Sequence, residues 1–229
     1  MTAVKTISAA VVVAFALAGP AVADEAPPAV PVARAPFHAP AFRNSLVSIV
    51  DAFVPAGREA SWHRHAKDFV YALVREAPLV LQSWGEPEQR VDWPRGHVGF
   101  GAFSKTPLVH RAQNVGAGPL RMVGFELVED APAGFAPSQR PAPWRVILDN
   151  ERLRGWRLTL APKEAAPGFV QTAPSVRIVV DGGEIVDMCA NAQNLVLHSG
   201  DFHWRERGDA GALLNAGVET VDLVEFEVR

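Results

Sequence analysis

The sequence predicts an all-β protein made of two similar domains of the sandwich or barrel class, and three observations lead to this prediction. Short apolar runs recur along the chain and are separated by turn residues. The 19 prolines and 18 glycines supply many turns and favour short strands over long helices. The C-terminal half also repeats features of the N-terminal half, which indicates a duplicated domain.

Length, charge and cysteine content narrow the class of protein further. With 229 residues, of which 48% are hydrophobic, the chain can bury a core large enough to fold without disulfides. Its net charge is only −3, so the sequence predicts neither nucleic-acid binding nor attraction to an anionic membrane surface. Cys189 is the single cysteine, and we expect a small buried hydrophobic residue there rather than a nucleophile.

Residues 1–23 have the features of a secretory signal peptide. Lys5 provides a positive n-region, residues 9–18 form an apolar h-region, and residues 21–23 form a small-x-small cleavage site. The alternative is an uncleaved amphipathic anchor, since the apolar segment is too short to span a bilayer comfortably. We expect an exported protein, periplasmic or secreted, that is not inserted in the membrane after cleavage.

The rest of the chain is predicted to begin with an extended arm and to continue as strands. Residues 24–41 are rich in Ala and Pro and have little amphipathic period, which predicts the arm. Residues 131–143 contain four prolines and are predicted to be a linker. Between them, apolar runs bounded by turn residues predict strands around the histidine pair and over 46–54, 69–74, 79–84, 98–103 and 120–129.

The concentrated chemistry of the sequence lies in three histidines of the first half. His63 and His65 are two residues apart, and alternate side chains of a strand share one face, so both imidazoles can point into one interior. His110 lies at the end of a later apolar run. Three neutral imidazoles from two strands could hold a divalent metal and leave positions for water or substrate. The pair alone would be weak evidence, since strand histidines are often surface or core residues.

The spacing around these histidines resembles the two motifs of the cupin superfamily. Six residues stand where G-x5-H-x-H-x3/4-E-x6-G and G-x5-P-x-G-x2-H-x3-N require them: Gly57, His63, His65, Gly99, His110 and Asn114. The resemblance implies a jelly-roll domain, or double-stranded β-helix, that binds one divalent transition metal (Fe, Mn, Ni, Cu or Zn) through the three histidines. Lys105 and Pro107 depart from the second motif, and Phe69 or Val70 stands at the glutamate position of the first.

The missing glutamate leaves the fourth ligand open. Asp68, beside the expected position, is the nearest substitute. Counting alternate residues from His65 turns Tyr71 inward, where it could line a pocket and hydrogen-bond a substrate or a metal-bound water. Tyr71 could equally be a core aromatic with its hydroxyl at the rim. Trp62 and Arg64 are predicted to face outward, toward packing or an interface.

The second half of the chain aligns with the first and resembles a second cupin domain. Two ungapped alignments relate the copies: residues 55–74 with 161–180, and residues 99–127 with 200–228. The chain therefore resembles a bicupin, with tandem jelly-roll domains at residues 42–130 and 144–229.

The second copy is predicted to bind no metal. Opposite the three histidines it carries Phe169, Gln171 and Gly211. His198 and His203 lie nearby, but their spacing does not match the motif. We expect this domain to be a structural partner that seals sheet edges or one side of the first barrel.

Fold alone does not choose among the reactions found in cupins, which include dioxygenases, decarboxylases, isomerases, epimerases and lyases as well as binding proteins. The leading hypothesis is an exported metal-dependent enzyme acting on a small oxygen-bearing metabolite, with Tyr71 or Asp68 near the substrate. An oxygenase is favoured over a lyase or isomerase because three-histidine sites are common among cupin dioxygenases. The alternatives are a non-catalytic periplasmic protein that binds or senses a metal or small ligand, and a purely structural cupin. The resemblance also allows a homodimer.

Overall fold

The computed structural model describes residues 27–130, 136–188, 193–208 and 210–229. These residues form strands joined by turns, with a 3-10 helix at Val32–Arg34 and no α-helix among them. Within the same residues, no helix is long and apolar enough to cross a membrane. The predicted signal peptide and Cys189 lie outside the described residues.

Two five-stranded sheets, sheet I and sheet II, form the first barrel. In spatial order, sheet I contains β1 (Val30–Pro31), β4 (Glu59–His65), β9 (Leu108–Asn114), β6 (Leu79–Ser83) and β7 (Gln89–Val91). Sheet II contains β2 (His38–Arg43), β3 (Val47–Val54), β10 (Leu120–Leu127), β5 (Phe69–Arg75) and β8 (Val98–Gly101). From β3 to β6, and again from β7 to β10, the chain changes sheet at every step, which is the strand order of a jelly roll.

Sheets III and IV form the second barrel with the same order. Sheet III contains β11 (Arg145–Asp149), β12 (Leu153–Leu160), β19 (Val221–Val228), β14 (Ser175–Asp181) and β17 (Phe202–Arg205). Sheet IV contains β13 (Ala165–Val170), β18 (Ala210–Asn215), β15 (Gly183–Asp187) and β16 (Gln193–Leu197). Each of these strands corresponds to the strand nine places earlier in the chain. The prediction of two tandem jelly-roll domains is confirmed.

The repeat extends to individual hydrogen bonds. Asn114 Nδ2 donates to two backbone carbonyls, each 2.9 Å away, and Asn215 repeats both bonds at 3.0 and 2.7 Å. Gly57 and Lys163 occupy equivalent turns with φ of +70° and +66°. The backbone N–H of each donates to the carbonyl of the asparagine in its own barrel, at 2.9 Å. Asn114, although part of the second motif, therefore holds a turn, and that role is present in both barrels.

Sheets II and III pack face to face and join the barrels through one continuous apolar core. Val70, Ala72 and Val74 on β5 belong to this core, and the intervening residues of the strand face the inside of the first barrel. The second barrel thus covers one side of the first. The sequence allowed two arrangements, sealing of sheet edges or sealing of one side of the first barrel, and the structure has the second.

The N-terminal segment is part of the first barrel from residue 30 onward, although the sequence predicts an extended arm there. β1 pairs in parallel with β4, Val32 is only 1% exposed, and β2 pairs with β3 at the edge of sheet II. The sequence of β2 lacks a clear alternation of apolar and polar residues, because its exposed positions carry Ala and Pro, which an edge strand tolerates.

Candidate metal centre

The three predicted histidines lie side by side inside the first barrel. His63 and His65 are on β4, His110 is on the neighbouring β9, and His63 is directly opposite His110 in the pairing. The side chains of His63 and His65 turn inward, leaving the residues 1% and 4% exposed. A register shift on β4 between Ala60 and His63 precedes the site, and such bulges re-aim side chains next to functional centres.

The imidazoles converge closely enough to share one ion. Their candidate ligand atoms all lie within 4.8 Å of one another, and Nε2 of His65 is 3.1 Å from Nε2 of His110. His63 Nδ1 donates to the carbonyl of Ser61 at 2.8 Å, because that oxygen can only accept. This bond leaves Nε2 of His63 with its lone pair, which is the form that binds a metal.

Burial keeps the triad uncharged. Removal from water lowers the pKa of His63 to about 4, against a smaller opposing effect of the Ser61 hydrogen bond. The same desolvation, reinforced by neighbouring histidines, lowers the pKa of His65 to about 3 and that of His110 well below 6.5. Phe69 and Phe103 pack on His65 with ring centroids 4.8 and 5.3 Å away. At neutral pH all three histidines are therefore neutral nitrogen donors.

The residues fit a divalent transition metal. Two neutral imidazoles whose Nε2 atoms face each other can share at most one proton, whereas a metal ion accepts both lone pairs. The Nε2 atoms of His65 and His110 are 3.1 Å apart, close enough for both to reach one ion at metal–nitrogen distances of about 2.1 Å. His65 Nδ1 is buried without a hydrogen-bond partner among the described residues. Nitrogen donors of this kind suit Fe, Ni, Cu or Zn, whereas Mn, the fifth metal that the resemblance allows, prefers oxygen donors.

Asp68 does not join the triad in this structure. Its Oδ1 accepts hydrogen bonds from the backbone N–H and the hydroxyl of Ser104, at 2.9 and 2.5 Å. Its Oδ2 accepts from Nη1 of Arg152 in the second barrel, at 3.1 Å. Both oxygens are therefore engaged in a contact between barrels, and the expectation that Asp68 replaces the missing glutamate ligand is corrected. The glutamate positions themselves hold the buried apolar residues Phe69 and Val70.

Tyr71 lies in the barrel wall beside the triad rather than against it. Its ring contacts Phe69, Trp93 and His97, with centroids 6.0 to 6.3 Å away. Burial raises the pKa of its hydroxyl above 10. A Cβ at Gly99 would come within 2.4 Å of the Tyr71 ring atoms, so this motif glycine makes room for the tyrosine. A contact of Tyr71 with substrate stays a prediction.

A fourth histidine lies beside the triad, and sequence reasoning missed it. His38 begins β2, and its ring centroid is 5.1 Å from that of His63. Burial lowers its pKa, while a hydrogen bond from Nδ1 to the carbonyl of Pro36 at 3.0 Å opposes this effect. His38 falls in the segment that was predicted to be an arm, and it matches no motif position, so no local signal identified it.

The equivalent region of the second barrel is filled by Arg140. The side chain of Arg140 is fully buried, with its guanidinium 4.4 Å from the ring centroid of Phe169, the residue opposite His63. Nη2 donates to Gln171, opposite His65, at 3.3 Å, and to Glu225 and Glu227 at 3.0 and 2.7 Å. Arg140 belongs to the predicted linker, so the end of that segment enters the barrel.

Buried charges hold this network together. Burial opposes ionisation of Glu225, but three guanidinium groups outweigh it and hold its pKa well below 4.5: those of Arg177, Arg140 and Arg205.

In the part of the chain that the structure describes, the His63, His65 and His110 group is the one place where potential metal ligands converge. His198 and His203 do not rebuild such a site.

Comparison with known proteins agrees with this architecture. Protein-family models and curated protein sequences give no match. Among solved structures, AerE from Microcystis aeruginosa is similar with a TM-score of 0.59 and 10% identity, over 85% of this chain and 98% of that chain. Salicylate 1,2-dioxygenase from Pseudoaminobacter salicylatoxidans, solved with gentisate, has a TM-score of 0.56 and 13% identity, over 80% and 68%.

A third similar structure is the cupin 2 conserved barrel domain protein from Leptotrichia buccalis, with a TM-score of 0.51 and 8% identity, over 84% of this chain and 88% of that chain. At such low identity, the likeness concerns the fold. Together with the strand order of both barrels, it shows that the chain has the cupin fold in its tandem, two-barrel form.

Proposed function

We propose that this protein is an exported, metal-dependent cupin enzyme that acts on a small oxygen-bearing metabolite, and that the reaction is an oxygenation. The observation that carries the proposal is the convergence of three neutral imidazoles, two of them buried and that of His110 half-buried, with no carboxylate among them. His63, His65 and His110 would hold the metal.

A metal bound there would supply a Lewis-acidic, redox-capable centre with positions open to substrate. Because the three ligands are neutral, they leave the charge of the ion uncompensated, which favours anionic oxygen ligands such as carboxylates, phenolates or enolates. Phe69 and Phe103 pack against the ring of His65 and make the surroundings of the site apolar on that side. Tyr71 would orient a substrate oxygen through its neutral hydroxyl.

The similarity to salicylate 1,2-dioxygenase supports the choice of an oxygenase. That enzyme was solved with gentisate, an aromatic hydroxy acid whose carboxylate is an anionic oxygen ligand. The proposal that Asp68 closes the coordination shell, as a metal-capture protein would require, has no support, because both oxygens of Asp68 are held by Ser104 and Arg152.

The test combines elemental analysis with oxygen uptake on the protein purified from the exported fraction. We expect about one redox-active ion per chain, Fe, Ni or Cu, and none in the His63→Ala/His110→Ala variant. Zn in the site would count against an oxygenation, because Zn²⁺ has no redox chemistry. We also expect substrate-dependent oxygen consumption with hydroxy acids or enolisable carbonyl compounds, which the variant should lose while remaining folded.

Two further results would count against the proposal. Absence of metal after reconstitution with each of the five ions would remove the metal centre altogether. Metal without exchangeable water, and without turnover of any compound, would instead indicate a binding or sensor protein.

A further inference from the structure

His38 stands out among the residues that the predicted site does not use. It is carried by β2 in sheet II, whereas His63, His65 and His110 are carried by sheet I. Its ring centroid lies 5.1 Å from that of His63, and the centroids within the triad are 4.3 to 5.3 Å apart. By this measure His38 is as close to His63 as His65 is, although its ring nitrogens are not among the ligand atoms that all lie within 4.8 Å of one another.

The backbone before His38 is held in an uncommon conformation. Phe37 has φ of +67°, a region that non-glycine residues adopt at a cost of about 1–3 kcal/mol and that clusters at functional sites. The carbonyl of Phe37 accepts from the N–H of Phe53 at 2.9 Å, and the N–H of His38 donates to Ala35 at 3.1 Å. The guanidinium of Arg58 lies over the Phe37 ring, 5.5 Å from its centroid. These contacts fix the direction in which the chain enters β2.

The ring of His38 has the tautomer of a metal ligand. Nδ1 lies 3.0 Å from the carbonyl of Pro36, which can only accept, so Nδ1 carries the proton and Nε2 keeps its lone pair. His63 shows the same arrangement with the carbonyl of Ser61. Hydrogen bonds of this type to the second ring nitrogen orient histidines that bind metals.

We propose that His38 is the fourth protein ligand of the metal centre, binding through Nε2. The inference rests on the proposed metal-dependent function. His38 would supply the ligand that the first motif lacks at Phe69 and Val70, and this ligand would come from the opposite sheet. A six-coordinate ion with four imidazoles retains two open positions, so the site would take a bidentate anionic oxygen ligand. The N-terminal segment would then be part of the active site rather than an appendage.

The experiment is a Co(II) titration of the full metal-free protein, followed by the visible d–d absorption of the bound ion. We compare wild type, His38→Gln, His38→Gly with and without added imidazole, and His203→Gln as a control on an exposed histidine of the second barrel. Loss of a residue that only supports a ligand costs about 10–100-fold in metal affinity, so loss of a ligand should cost at least about 100-fold. We expect that weakening in His38→Gln, a changed absorption band, and recovery of the band in His38→Gly on adding imidazole.

The outcomes separate the two proposals. If wild type binds no Co(II), the metal-dependent function fails. If wild type binds it and His38→Gln, folded by circular dichroism, keeps the affinity and the spectrum, then only the role of His38 is overturned. If His38→Gln does not fold, the spectrum of His38→Gly with and without imidazole decides the question.

Discussion

Phe125 and Phe226 pack against each other edge to face across the two barrels, with ring centroids 5.9 Å apart and planes inclined by 61°. The two residues occupy equivalent positions in the repeat, on β10 and β19, and both are fully buried. Phe125 thus meets the equivalent residue of the other barrel within the shared core. The two barrels are therefore expected to behave as one folding unit.

The first prediction concerns this contact. Phe226→Ala should destabilise the protein by about 3–5 kcal/mol, because it leaves a cavity in the shared core. Phe125→Ala should cost a similar amount, and the double variant less than the sum, since the two rings contact each other. Urea unfolding should remain one transition in wild type. Two separate transitions in wild type would contradict the idea of a joint core.

Arg140 is predicted to be essential for the second barrel. Arg140→Ala should lower the free energy of unfolding by about 3–5 kcal/mol, because Glu225 and Glu227 would remain buried without this cation. Arg145→Ala, at an exposed position nearby, should change it little. Denaturant unfolding followed by tryptophan fluorescence measures both. Equal stabilities of the two variants would show that Arg140 is not needed to fill the barrel.

The third prediction is a pH dependence that can be observed at one residue, because Tyr71 is the single tyrosine of the chain. Burial raises its pKa above the ordinary value of 10, so the folded protein should show no tyrosinate absorbance where the unfolded chain already ionises. Above pH 10 the folded state holds a proton that the unfolded state has lost. Stability should therefore fall as the pH rises from 10.

The Tyr71 titration has a matched control. Tyr71→Phe should remove the absorbance change completely, and it should lose less stability than wild type between pH 10 and 11. Ionisation at pH 10 in a protein that is still folded would contradict the burial of this hydroxyl.

Asp68 is predicted to hold the two barrels together without binding the metal. Asp68→Asn should leave the metal content unchanged, because the carboxylate contacts Ser104 and Arg152. It should reduce stability by about 1–3 kcal/mol, since a charged partner is lost at a nearly buried position. A double-mutant cycle with Arg152→Ala should give a non-zero coupling. Loss of metal in folded Asp68→Asn would restore Asp68 as a ligand.

The sequence by itself determined the features that depend on local pattern and on spacing. Apolar runs between turn residues indicated strands, and the alignment of residues 99–127 with 200–228 indicated the duplication that the strand order of both barrels confirms. The spacing of His63, His65 and His110 identified three residues that the structure brings together. Alternation in a strand and motif spacing are properties of short segments, so they can be read without knowing the fold.

Only the tertiary structure decided which distant residues share an environment. His38 and His63 are on different sheets, and no periodicity relates them. Arg140 enters the second barrel from a segment whose prolines predicted a linker, and Asp68 turns toward Arg152 on the other barrel. Each of these placements follows from the closure of a barrel or the packing of sheet II on sheet III. Such contacts join residues far apart in the chain, so no pattern within a short segment of the sequence predicts them.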